Sequence, residues 1–218
     1  MADYQSRRTM MVDTQVRPSD VTKFPIIDAL LDIPREEFVP DEARDAAYIG
    51  EHLTLDRSRV ILEPRLFAKM LDALNIDPED VVLDVGCGLG YSTAVLAHMA
   101  AFVVAVEQNE DWAKEAEANL TAQGVDNAAV FASAMTDGAA QNGPYDVIIL
   151  QGAVETLPDA LLDQLKEGGR IVATFAVGAV GEVRLGHKID GAINWRMAFN
   201  GTAPVLPGFA KEAEFTFE

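Results

Sequence analysis

The sequence predicts an α/β protein: a doubly wound, mostly parallel sheet with an N-terminal helical extension and an antiparallel C-terminal edge. Three observations carry that prediction. Apolar runs of strand length alternate with amphipathic stretches from residue 81 onward. The first run, Val81-Val82-Leu83-Asp84-Val85, breaks into a turn holding Gly86, Gly88 and Gly90. The second, Phe102 to Val106, ends on Glu107. Alternation of this kind builds right-handed βαβ crossovers, and these generate a parallel sheet covered on both faces.

Taken in order, residues 1–20 are polar and show no clear period. From Val21 to Leu31, apolar residues at helical spacing (Phe24, Ile27, Leu30, Leu31) predict a helix ending before Pro34. Residues 33–40 read as a turn with two proline stops. Pro64 opens a helix over Leu66 to Leu74, suiting proline in a first helical turn. Strands are expected at 81–85, 102–106, 128–132, 146–150 and 170–175, with helices at 91–99, 110–122 and 158–165. Asp146 to Leu150 is continuously apolar after its first residue, as in a strand buried on both faces. Lys166-Glu167-Gly168-Gly169-Arg170 reads as a glycine-ended helix entering a strand. Weak alternation at Trp195, Met197 and Phe199, then Phe215 and Phe217, predicts edge strands. The chain reads as one domain over 1–218, with 1–75 as extension and cover and 76–218 as ligand-binding core.

Three glycines in one turn permit positive φ and let a ligand lie against backbone N–H groups. An acid about 20 residues further on, at the tip of the neighbouring strand, is where such folds grip ribose hydroxyls. Together they point to an adenosine-type cofactor. The dinucleotide fingerprint G-x-G-x-x-G has its third glycine where this chain has Tyr91. Asp84, two residues before the first glycine, suits a cationic ligand and repels a pyrophosphate. The string therefore favours S-adenosylmethionine, with a nicotinamide oxidoreductase as the other reading of the same loop. Cofactor contacts are expected from Asp84, Gly86, Cys87, Gly88, Gly90, Glu107, Gln108 and Ala134, and from Tyr91, whose ring either reaches the methionine portion of the ligand or faces the core. Trp112 either covers the adenine or packs on the sheet.

Composition narrows the partners. Of 218 residues, 17 are Lys or Arg and 35 Asp or Glu, a net charge of −18. Most of the surface repels nucleic acid and anionic membrane. The single cysteine, Cys87, excludes an internal disulfide and fits a reducing compartment. Arg7 and Arg8 precede no apolar run, and no stretch reaches the ~18 apolar residues of a membrane span. A cytoplasmic protein, monomeric or homodimeric, is expected. His52, His98 and His187 lack metal-ligand spacing, so no metal is expected.

The chain resembles the protein-L-isoaspartate O-methyltransferase family of class I S-adenosylmethionine-dependent methyltransferases. The resemblance rests on residues 11–21 (MVDTQVRPSDV), 34–40 (PREEFVP), 47–48 (AY), 81–97, 143–150 and 157–173. Of these, the 34–40 string is fairly specific, whereas LDVGCGLG is common to all class I methyltransferases. The resemblance implies a Rossmann-like methyltransferase fold and methylation of isoaspartyl carboxylates in damaged proteins. Two positions depart from the family pattern. Where the family has T-I-S-Q-P, with a serine contacting the acceptor, this chain has Val60-Ile61-Leu62-Glu63-Pro64. Leu62 cannot donate a hydrogen bond, and a Glu63 carboxylate near an anionic acceptor would repel it; Ser58, Thr54 or Arg59 are the candidate substitutes. The family's G-D-G near the adenine falls on Ser133-Ala134-Met135, with Asp137 three residues on. These departures leave a second reading open: the same fold with a different acceptor, or cofactor binding without isoaspartyl activity.

Overall fold

The computed structural model describes residues 3–178 and 180–211. The chain opens with α1 (Tyr4–Met11), a π-helical turn (Val12–Val16) and a 3-10 turn (Arg17–Ser19). The π turn explains why residues 1–20 show no period: it offsets Met11, Val12 and Val16, all buried, from a 3.6-residue repeat. α2 (Phe24–Asp32) follows, with Pro25 in its first turn. The expected turn over 33–40 contains a 3-10 helix at Arg35–Phe38. A two-rung hairpin that the sequence did not announce pairs β1 (Leu53–Thr54) with β2 (Val60–Ile61). α3 (Pro64–Leu74) then leads into the sheet.

The alternating segment is β3 (Val81–Val85), α4 (Tyr91–Met99), β4 (Phe102–Glu107), α5 (Glu110–Ala122) and β5 (Ala128–Ala132). It continues through β6 (Tyr145–Val154), α6 (Asp159–Leu162), β7 (Leu165–Phe175), β8 (Glu182–Ile189) and β9 (Ala192–Asn200). These make a seven-stranded sheet in the order β5-β4-β3-β6-β7-β8-β9. The strands from β5 to β7 run parallel, and β8 and β9 add antiparallel. Strand order reverses between β3 and β6. A crevice at the C-terminal ends of the strands on either side of such a point is where open α/β sheets bind ligands. One face of the sheet carries an apolar cluster that includes Met11, Val16, Leu30, Phe67 and Tyr91 from the extension, α3 and α4. The other is filled by Leu83, Ile148, Leu161 and the returning tail residues Leu206 and Phe209.

Two expectations are corrected. The helix expected over 158–165 is only the four residues of α6. The Gln164 side chain closes it by donating to the carbonyls of Ala160 and Asp137, both at 2.8 Å, and Leu165 already pairs with Tyr145. Lys166 to Gly169 are an excursion within β7, because pairing with β6 jumps from Tyr145–Leu165 to Val147–Arg170. At the edge, the expected antiparallel strand is present as β9, though the alternation of Trp195, Met197 and Phe199 does not define one face. A register slip between Val183 and Arg184 sends Phe199 to the first core while Ile193 and Trp195 pack on the second. Phe215 and Phe217 lie outside the described residues.

Tyr145, fully buried at the start of β6, donates its hydroxyl to the Ala139 carbonyl at 2.6 Å. Burial pushes the phenol from 10.0 up to about 12. The fold thus favours the neutral phenol. Its contribution is intact below pH 10 and fades as pH rises from 10 to about 12. Tyr145→Phe is expected to cost about 1 kcal/mol at neutral pH, because the Ala139 carbonyl loses one of its two donors and keeps the Asn142 amide at 2.9 Å. In urea titrations the wild-type advantage over Tyr145→Phe should shrink across that alkaline interval; a constant difference would disprove the linkage.

Candidate active site

The C-terminal ends of β3 and β4 converge on the glycine turn. Gly86, Gly88 and Gly90 all have positive φ (82°, 58° and 98°), and Gly90 serves as N-cap of α4. The turn is tied to β4 by the amide of Gly86, which donates to the Val106 carbonyl at 2.8 Å. Side chains at these positions would meet walls as well as strain. A Cβ on Gly88 would lie 2.9 Å from Leu55 Cδ1, and one on Gly86 3.1 Å from Met135 Sδ.

Two carboxylates lie beneath this turn, both fully buried. Asp84 accepts from Ser92 Oγ (2.6 Å), Thr93 Oγ1 (2.8 Å) and Gln151 Nε2 (2.7 Å). Burial raises its carboxyl above the usual range, these three donors oppose the rise, and the charge of Glu107 adds to it. Asp84 therefore fastens the first turn of α4 to the sheet. Its partners were not singled out by the sequence. Gln151 follows β6's central apolar run, and a slip in β6–β7 pairing between Ile149 and Ala153 accompanies its placement.

Glu107 is met differently. Arg59, from the hairpin between β1 and β2, donates from Nη1 to Oε1 at 2.8 Å and from Nη2 to Oε2 at 2.5 Å. The backbone amides of Gly88 (2.9 Å) and Asn109 (3.0 Å) complete its shell. Arg59 Nη2 also donates to the Gly86 carbonyl at 3.0 Å, and the guanidinium lies 5.4 Å from the Trp112 ring centre. Half-buried Trp112 is thus a platform for Arg59.

The remaining expected residues are sorted as follows. Tyr91 turns into the core: its ring packs on Phe38 and Phe67 at 6.1 and 6.0 Å, with the Arg35 guanidinium 4.7 Å away. It also lines the small cavity beside the turn. Cys87 is buried, and burial followed by the charges of Asp84 and Glu107 drives its thiol well above the ordinary range. Gln108 and Ala134 are exposed, the latter opening a 3-10 turn at Met135–Asp137. Asp137 is exposed as well, with Thr136 as its side-chain neighbour. Leu62 is buried and lines the cavity, and its carbonyl accepts from Arg35 Nη2 at 2.9 Å. Ser58 does not replace the missing hydroxyl, since its Oγ faces Asp56 within the hairpin turn (3.3 Å). Thr54 is exposed. Glu63 is not part of the cavity wall, and its carboxylate lies 3.9 Å from Arg65. The space left between Leu62, Phe67, Gly86, Gly88 and Gln151 is about 10 Å³. That is room for about one water.

A glycine cradle at a strand-order reversal, with a buried acid closing the next strand, is the architecture of a class I methyltransferase. Comparison with known proteins agrees. The sequence profile described as Protein-L-isoaspartate(D-aspartate) O-methyltransferase (PCMT) matches residues 6–194. A protein-L-isoaspartate O-methyltransferase of Koribacter versatilis is 38% identical over 165 residues, covering 76% of this chain and 74% of its own length. One from Roseiflexus sp. is 35% identical over 214 residues, covering 97% of each. Among solved structures, a Plasmodium falciparum protein described as a putative protein-L-isoaspartate O-methyltransferase in complex with S-adenosyl-L-homocysteine superposes with a TM-score of 0.77 at 18% identity. It covers 94% of this chain and 99% of that one. The chain belongs to the protein-L-isoaspartate O-methyltransferase family, whose members are S-adenosylmethionine-dependent enzymes. No helix among the described residues is long and apolar enough to cross a membrane.

The environment of Cys87 makes a direct prediction. In the native protein it should resist iodoacetamide, because the thiolate that reacts is suppressed and covered. Labelling should require unfolding. Modification of folded protein at a rate near that of a free thiol would contradict this.

Proposed function

We propose that this chain transfers a methyl group from S-adenosylmethionine to the carboxylate of isoaspartyl residues in damaged proteins or peptides. The observation that carries this reading is the pairing of the positive-φ glycine cradle with Glu107, in a chain of this family. The donor set fits such a cofactor. The cradle has no room for a side chain of its own at Gly86 or Gly88, where a Cβ would meet Met135 or Leu55. Glu107 offers two adjacent carboxylate oxygens of the kind that hold ribose hydroxyls. Bound there, the cofactor would supply a methyl already activated by its positive sulfonium.

The residues of the chain supply binding, placement and dryness. Asp84, held by Ser92, Thr93 and Gln151, keeps the start of α4 and the glycine turn in register with β3. Leu62, Phe67 and Tyr91 form an apolar wall that excludes water from the cavity. Such exclusion strengthens every charge interaction inside, and fixed positioning replaces the entropy of a bimolecular encounter. Residues 1–218 are proposed to act as one methyltransferase unit in the cytoplasm, as monomer or homodimer. The lone buried thiol supports a reducing compartment.

Tritiated-methyl transfer to an isoaspartyl peptide and to its aspartyl twin tests this reading. Selective labelling of the isoaspartyl form is expected, and equal labelling of both would remove the assignment. A second test concerns the acceptor wall. Leu62→Ser should lower stability by about 2–4 kcal/mol through lost burial. It should also raise kcat/KM for the isoaspartyl peptide roughly tenfold by adding one donor. An unchanged kcat/KM in a folded variant would mean that the acceptor is held elsewhere.

A further inference from the structure

We propose that Arg59 is a built-in occupant of the nucleoside site, and that the hairpin tip carrying it must withdraw before the cofactor can enter. The proposal rests on the cofactor reading given above. Arg59 takes both oxygens of Glu107 and the carbonyl of Gly86, the same groups the cradle offers a ligand. Its guanidinium lies over Trp112, the surface best placed to receive an aromatic base. Each Glu107 oxygen already accepts twice, once from Arg59 and once from the amide of Gly88 or Asn109. A ribose and Arg59 therefore cannot both be held there.

The contact is built to be exchanged. The pair is buried on both sides, with 2% and 0% side-chain exposure. Yet Arg59 Nε finds no hydrogen-bond partner among the described residues. A buried ion pair with an unmet donor recovers little of its desolvation cost. The segment that delivers it is light. β1 and β2 pair over only two rungs, Leu53–Ile61 and Thr54–Val60. Beyond them the turn is closed locally: the amides of Leu55 and Asp56 donate to the Arg59 carbonyl at 2.9 and 3.1 Å. Asp56 Oδ1 in turn accepts from the amides of Ser58 and Arg59, both at 2.8 Å. Asp56 and Arg57 are exposed, and Leu55 rests on the glycine turn opposite Gly88. Short, locally bonded elements of this kind open at lower cost than the sheet beneath them. A ligand entering such a site has its apparent affinity reduced to the intrinsic affinity multiplied by the fraction of molecules already open.

Calorimetry with S-adenosylhomocysteine on the wild-type chain and on Arg59→Gln, combined with hydrogen exchange of the wild-type hairpin, tests the proposal. Glutamine keeps one donor for Glu107 while removing the cation and its second bond. The variant is expected to bind roughly tenfold more tightly or better. In the wild type, saturating ligand should remove protection from the Leu55 and Asp56 amides, and this measurement needs no variant to fold. Equal affinities with unchanged amide protection would overturn the proposal and leave the cofactor reading intact. No binding to either folded protein at millimolar ligand would overturn the cofactor reading and the proposal with it.

Discussion

A carboxylate with no exposed surface, Glu107 at the end of β4, is the constraint around which the site is arranged. Left unpaired, such a charge costs several kcal/mol. The fold answers it with two main-chain amides and one guanidinium. One of those amides belongs to Gly88, so the conformation of the glycine turn and the charge of Glu107 depend on each other. Gly88 holds φ of 58° while its amide donates to Glu107, and glycine adopts that value without a Cβ penalty.

The neighbouring acid is treated in another way. Asp84 receives two hydroxyls and an amide, all neutral, and sits at the first turn of α4 where the helix dipole is positive. Neutral donors in a buried place do not cancel the desolvation of a carboxylate, and its ionisation is correspondingly disfavoured. Glu107 alone is given a cation. The asymmetry follows from position: Asp84 belongs to the scaffold under the turn, whereas Glu107 closes the strand at the crevice, where Arg59 of the hairpin reaches it.

Much of this was legible in the sequence because its signals are local. The strand at Val81–Val85, the helices at Tyr91–Met99 and Glu110–Ala122, and the glycine turn each carry their pattern within a few residues. So does the acid at 107. What escaped depended on contacts distant in sequence. Arg59 lies 48 residues before Glu107, in a hairpin of two-residue strands too short to show a period. Gln151 reaches Asp84 across 67 residues. The segment Glu182–Ile189 has buried Val183 and Leu185, but Gly186 and four charged or imidazole side chains blur its alternation. Tyr91 shows the limit of motif reading: its place after the last glycine left the ligand and the core equally open, and packing on Phe38, Phe67 and Arg35 took the ring inward.

The family departures take on a physical meaning once the hairpin is seen whole. Val60, Ile61 and Leu62 are buried, and they draw the chain inward so that Arg59 enters at the glycine turn. Withdrawing Arg59 removes two hydrogen bonds and one positive charge from Glu107 together. A sugar alone restores only the hydrogen bonds, since hydroxyls are neutral. A sulfonium alone restores charge without directional contacts. On the proposal that Arg59 occupies the nucleoside site, a ligand carrying both replaces what the arginine gave, so a charged nucleoside competes there better than a neutral one.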